Sequence, residues 1–223
     1  METKKLINKD AFDILYEEAT KDSANYIKKY ISEVIITDGG WWNVALSKIE
    51  VEGLCMELGV YEGTSINFFS KHAPKKTWYG FDSFLGFQED WKGGYFSKGD
   101  FSLKGKLPLV NNNVKLIKGY FKDTLPDFLK GMDKFTILGS RYEIQNISFL
   151  HVDCDTYEST IEALDIIGPE RLVPGTRILF DEYISYIGWR YGEYRAWQEF
   201  VKRNNLTYKY ELFGLRQALV KII

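Results

Sequence analysis

The sequence has few of the features that replace or bypass an ordinary hydrophobic core. Only two cysteines, Cys55 and Cys154, stand in 223 residues. With no CxxC pair and no Cys/His cluster, a disulfide framework and a structural zinc site are excluded. Both cysteines lie in apolar runs and are expected to be buried free thiols. No window reaches the apolar length of a membrane span. The N-terminal METKKLINKDAFDILYEEA has no apolar segment of signal-peptide type. A cytoplasmic location with no membrane partner is therefore expected. Lysine and arginine number 29 against 31 aspartate and glutamate, for a net charge of -2 and a pI near 5.8. Without a basic excess there is no surface for a phosphate backbone, which argues against nucleic acid as a partner. The GxGxxG fingerprint of dinucleotide-binding folds is missing too.

Aromatic side chains, by contrast, are abundant. Fifteen Tyr, fifteen Phe and six Trp make up 16% of the chain, more than core packing requires, so some should line a pocket. The hydrophobic share of 45% and charged share of 27% are ordinary globular values. The length suits one domain with a helical extension.

Residues 1–50 read as that extension, with Ala11, Ile14, Leu15 and Ala19, then Tyr26, Ile27, Tyr30 and Ile31, at helical spacing. Thr37 to Gly40 interrupts the pattern, and Trp41-Trp42 is expected to pack on the main domain, residues 51–223. There the rhythm becomes short apolar strands alternating with helices. Strands are predicted over 53–58, 77–81, 114–117, 147–152 and 177–180, and helices over 64–72, 125–130, 157–167 and 193–203. Two further strands, 208–213 and 217–223, are joined by a short turn. The pattern predicts an α/β fold: a Rossmann-like, doubly wound, mostly parallel seven-stranded sheet ending in an antiparallel hairpin. Residues 84–113, rich in glycine, lysine and aromatics, break the rhythm and are read as a lid or substrate wall.

Four strand ends carry chemistry. In Glu57-Leu58-Gly59-Val60-Tyr61-Glu62-Gly63-Thr64-Ser65 the first strand turns into the first helix, where glycines admit a ligand and helix N–H groups face it. A tight structural turn explains the same residues equally well. Asp82, in Gly80-Phe81-Asp82-Ser83-Phe84, closes the second strand, where an acid can accept both ribose hydroxyls. The two signals together favour a nucleoside. After the third strand, Phe121 is placed to lie on an adenine face, and Asp123 or Thr124 to cap the next helix. His151-Val152-Asp153-Cys154-Asp155 and Phe180-Asp181-Glu182 end two neighbouring strands, which gathers four carboxylates. Such a group suits a hard divalent cation: magnesium, calcium or manganese. Solvated helix caps account for Asp155 or Glu182 alone, but poorly for the set.

The segments CMELGVYEGTS, GFDSFLGF, EDWKGGYF, GYFKDTLP, HVDCDTYEST and FDEYISYIGW follow in the order found in one known group. Over roughly residues 52–200 the chain resembles the macrocin O-methyltransferase family of class I S-adenosylmethionine-dependent methyltransferases. The resemblance implies methylation of a sugar hydroxyl on a nucleotide sugar, a glycosylated natural product or a saccharide. It implies S-adenosylmethionine and a metal, usually magnesium. By position, Asp153, Asp181 and Glu182 become metal ligands and Asp155 the general base. Glu57, Gly59, Tyr61, Gly63, Thr64, Ser65, Asp82, Ser83 and Asp153 face the cofactor, with Phe121 near adenine. Many relatives carry Asp-Asp where this chain has Asp181-Glu182. His151 is the alternative base, although a strand-internal histidine is more often packed. The lid aromatics Tyr95, Phe96 and Phe101 are expected to close over the sugar. Self-association through the N-terminal helices stays open, as do an amine or catechol acceptor and a nucleotide-sugar or dinucleotide binder that transfers no methyl group.

Overall fold

The computed structural model describes residues 10–93, 96–136 and 141–223. The chain opens with α1 (Ala11–Ile27), β1 (Ile35–Ile36) and α2 (Trp41–Ser47). The alternating part follows: β2 (Leu54–Leu58), α3 (Thr64–His72), β3 (Trp78–Asp82), β4 (Val114–Lys118), α4 (Phe121–Met132), β5 (Lys134–Thr136), β6 (Arg141–Glu143), β7 (Ile147–Val152), α5 (Tyr157–Ile167) and β8 (Arg177–Phe180). It ends with α6 (Glu193–Arg203), β9 (Tyr208–Phe213) and β10 (Ala218–Ile222).

The main sheet runs β1-β9-β10-β8-β7-β2-β3-β4. From β4 to β8 every neighbouring pair is parallel, and β10 is antiparallel to both β8 and β9. The predicted α/β sheet and its C-terminal hairpin are thus present. Every residue of β2, β7 and β8 is buried, as expected of strands covered on both faces. On one face Met56, Leu58, Leu150, Val152, Ile178 and Phe180 pack with α4, α5 and α6. On the other, Cys55, Phe149 and Leu179 pack with α2 and α3. Both cysteines are free and buried, as expected.

Two expectations need correction. The sheet has an eighth strand, because Ile35 and Ile36 of the N-terminal extension pair in parallel with Leu212 and Phe213. The β-branched run Val34-Ile35-Ile36-Thr37 suits an edge strand better than a helix. The second correction concerns α4, which begins at Phe121, four residues before the predicted start, with Pro126 tolerated inside it. Its N-cap is Tyr120 with no side-chain bond, so neither Asp123 nor Thr124 caps it. Asp123 lies in the first turn, where a negative charge suits the helix dipole. Thr124 Oγ1 instead donates to the Tyr120 carbonyl.

The N-terminal segment is tied down at named points. The Tyr26 ring sits edge-on to Tyr194, Tyr210 and Phe213, and its hydroxyl is 2.7 Å from that of Tyr210. Ser23 Oγ accepts the Ser185 N–H at 2.9 Å. Trp42 packs against Phe68 and Phe69, the core role expected of the tryptophan pair. Among the described residues no helix is long and apolar enough to cross a membrane.

Candidate active site

In an open parallel sheet the crevice lies where the strand order reverses, beyond the carboxyl ends of the strands. Here that point falls between β2 and β7, whose successors go to opposite sides of the sheet. Gly59 leaves β2 with φ +88°, and a Cβ there would overlap the Asp153 carbonyl oxygen just past β7. Glycine is therefore required for the two strand ends to approach so closely. Tyr61 also holds a left-handed backbone, at φ 46°, uncommon for an aromatic residue.

Asp82 explains the turn. Its Oδ2 accepts the N–H groups of Val60 at 2.9 Å and Tyr61 at 2.8 Å, and its Oδ1 accepts that of Phe84 at 2.6 Å. A carboxylate has about four acceptor positions, so two are spent on the β2–α3 turn and a third on the turn that leaves β3. Asp82 is first an organiser of the crevice, with about one acceptor position left for a ligand hydroxyl.

One cavity occupies this crevice. Gly59, Tyr61, Asp82, Ser83 and Phe121 line it beside Asp153, Asp155 and Glu182. Eight of the sequence-predicted site residues are thus brought together. Glu57, Gly63, Thr64, Ser65 and Asp181 are not on its wall. Glu57 is fully buried and bonds His151 Nδ1 at 2.9 Å, while His151 Nε2 lies 3.7 Å from Asp181 Oδ1. Burial opposes a charge on His151, but the Asp181 and Glu57 carboxylates outweigh it and hold its proton well above the imidazole range. The histidine is a buried bridge behind the wall, whereas Asp155 is on the wall.

The acidic group has unusual electrostatics. Burial and then the Asp181 charge push Asp155 up to about 7, although Arg216 opposes them. Burial and the Asp155 charge push Glu182 up to about 8. Asp153 is raised by burial and by Asp181. Protein groups meet part of this charge: Arg216 Nη1 lies 3.4 Å from Glu182 Oε2, and Gln217 Nε2 donates to Asp181 Oδ1 at 3.3 Å. Among the described residues, no three acidic, cysteine or histidine side chains are gathered as a metal would require. Carboxylate oxygens are the hard donors that magnesium, manganese or calcium takes, but the described side chains are not gathered into such a set.

The lid segment is a folded wall. Phe84 and Trp91 are buried, and Phe87 exchanges backbone bonds with Gly99 and Asp100. Phe101, at φ 60°, sets its ring against Tyr61, Phe87 and Phe96 at centroid distances of 5.2, 5.2 and 4.6 Å. Phe87 and Phe101 both line the cavity. Tyr95 lies outside the described residues.

Sequence reasoning missed Gly86, Phe87, Gln88, Tyr120, Cys154 and Ser159 on the cavity wall. Phe87 and Gly86 were legible in the GFDSFLGF segment, had the apolar lid been read as a wall residue by residue. Glu193 was missed for a different reason. An acid in the first turn of a helix carries no signal beyond the helix itself, yet it is fully buried against the acidic loops.

The family model described as Macrocin-O-methyltransferase (TylF) matches residues 102–212. A curated relative is the 8-demethyl-8-(2,3-dimethoxy-alpha-L-rhamnosyl)-tetracenomycin-C 4'-O-methyltransferase of Streptomyces olivaceus, 33% identical over 75 residues. That match covers 34% of this chain and 23% of the relative. Among solved structures, the apo form of CalS11, a TDP-rhamnose 3'-O-methyltransferase of calicheamicin biosynthesis, superposes with a TM-score of 0.55. The superposition covers 99% of each chain at 16% identity, and so shows a shared fold. The family match over residues 102–212, together with the shared fold, makes this chain similar to the macrocin O-methyltransferase family.

Proposed function

We propose that this chain transfers the methyl group of S-adenosylmethionine to a sugar hydroxyl, with Asp155 as the general base. One observation carries the reading: the same cavity is lined by the β2–α3 turn and Asp82 and by Asp153, Asp155 and Glu182. A nucleoside is proposed to bind at Asp82, which keeps one acceptor position, with Ser83 and Phe121 on the same wall. The curated relative acts on a rhamnosyl group, so a deoxyhexose is the acceptor of choice.

A bound sulfonium donor supplies an already activated methyl group, which leaves position and proton removal to the protein. The acceptor oxygen must lie in line with the transferred methyl at about 3 Å. Phe87 and Phe101 offer apolar faces against a sugar ring and exclude water from the transfer. Asp155, raised to about 7, has a proton affinity matched to taking the hydroxyl proton near neutral pH. His151 has no place on the wall, and its imidazole is engaged with Glu57.

Metal assistance belongs to the same proposal. Asp153, Asp181 and Glu182 are the residues to hold a magnesium, manganese or calcium ion. A bound cation would polarise the acceptor hydroxyl and offset the mutual repulsion that raises Asp155 and Glu182.

The test is a panel of acceptors with purified protein and S-adenosylmethionine: TDP-rhamnose, a rhamnosylated aromatic polyketide, a catechol and a primary amine. Methyl transfer to a rhamnosyl acceptor is expected. Transfer to the catechol or amine alone refutes the sugar reading. Titration should show binding of S-adenosylhomocysteine and none of NAD. Rates that survive exhaustive chelation would remove the cation.

A further inference from the structure

We propose that Glu193 is a positioning residue for methyl transfer, a buried clamp whose single carboxylate fixes the backbone of both acidic strand-end loops. Its Oε1 accepts the Asp155 N–H at 3.3 Å and its Oε2 accepts the Glu182 N–H at 3.1 Å. The side chain opens α6 and is fully buried. The proposal rests on the reading of Asp155 as the base.

Three observations support the clamp. First, the bonds go to one residue on each loop, so beyond the last β7–β8 backbone bond a single side chain ties the two loops together. The neighbouring amides are satisfied elsewhere: Asp181 N–H bonds Val152 and Tyr183 N–H bonds Arg216. Second, Asp155 holds φ 60°, a left-handed conformation that costs free energy in any residue with a Cβ. A bond to its own N–H is the direct way to hold that conformation and so aim the carboxylate into the cavity. Third, Glu193 is the anchored end of a well-packed helix. Trp197, one turn on, is buried against Phe180 at a centroid distance of 5.5 Å. The preceding Gly192 is buried too, where a Cβ would overlap the Tyr186 hydroxyl. A buried acid among other acids is expensive to keep. Packing alone would be served better by an apolar residue, so the expense points to a geometric demand of the site.

Glu193→Gln is nearly isosteric but sets an NH2 group against one of the two N–H donors, which opens one arm of the clamp. Glu193→Asp is too short to span both loops. The expected result for either variant is a fall in kcat of at least about tenfold with acceptor KM changed by less than about threefold, the mark of a defect in aim rather than in binding. S-adenosylhomocysteine affinity should stay at the wild-type value. Amide exchange gives a readout independent of turnover: residues 155 and 182 should be protected in the wild type, and at least one should exchange faster in each variant. Three results overturn the clamp: unprotected 155 and 182 amides in the wild type, an unimpaired kcat in both variants, or a parallel loss of cofactor affinity. A wild-type chain that methylates no sugar overturns the proposed function along with it. An active wild type with fully active variants overturns the clamp alone.

Discussion

At the residue scale the site depends on how a few carboxylates divide their work. Asp82 spends three acceptor positions on backbone N–H groups, while Asp155 is held on the cavity wall with a raised proton affinity. The substitution that separates these roles is Asp155→Asn. The amide keeps the shape and loses the basic lone pair, so kcat should fall by at least about a hundredfold. S-adenosylhomocysteine affinity, read by calorimetry, should change by less than about twofold, because Asp82 and Gly59 are untouched. Retention of full turnover would take Asp155 out of the mechanism. Much of this was legible in the sequence, since Gly59, Asp82, Asp153 and Asp155 all stand at strand ends and the order of strands puts strand ends in one place. What could not be read was which acid faces the cavity. Asp181 and Glu182 are adjacent in sequence, yet only Glu182 lines the wall, because successive residues leaving a strand point to opposite sides. Glu57 was assigned to the cofactor by motif and His151 was kept as an alternative base, with packing the commoner role of a strand-internal histidine; their side chains meet each other behind the cavity wall.

At the element scale, seven strands of the main sheet were legible from apolar runs, their boundaries moved by at most one residue, whereas the short strands β5 and β6 were not foreseen. Nor was the short edge strand β1, because two residues carry no period and their pairing depends on β9, far away in sequence. The inner strand β8 shows how charge is tolerated inside the sheet. Arg177 is buried, and it bonds Glu211 of β9 with Nε at 3.0 Å and Glu50 before β2 with Nη1 at 2.8 Å. Lys221 of β10 also pairs with Glu50. The Arg177 and Lys221 partners lower Glu50 from 4.5 to about 2. A depressed carboxyl contributes stability that is fully present above its unfolded value and is lost as pH falls through the folded value. The melting temperature of the wild type should therefore exceed that of Glu50→Gln at pH 7, and the gap should narrow steadily from about pH 5 downward. A gap that widens on acidification would contradict the pairing. Because Glu50 is solvent-exposed, the gap should also shrink in high salt.

At the scale of the whole molecule, the lid and the post-β8 loop, far apart in sequence, both contribute to the cavity wall. They cross backbone to backbone: a Cβ on Gly188 would overlap the Lys92 carbonyl oxygen. Trp91 fastens the crossing. It is buried, stacks on Phe96 at 5.9 Å and 6°, and meets Tyr186 at 5.3 Å. Phe96 in turn packs on Phe101, and Phe101 on Tyr61 of the β2–α3 turn. An aromatic chain thus runs from the post-β8 loop across the lid to the β2–α3 turn. Trp91→Ala should cut this chain at its anchor and cost about 3–5 kcal/mol of packing if the site cannot collapse. With Phe87 and Phe101 proposed to face the acceptor, the acceptor KM should rise by about tenfold or more while S-adenosylhomocysteine affinity falls far less. Trp91→Phe, which keeps a ring in the stack, should recover most of the KM. Equal losses of acceptor and cofactor binding in Trp91→Ala would mean that the lid acts through the turn, with Tyr61 and Phe101 as the contact that transmits it.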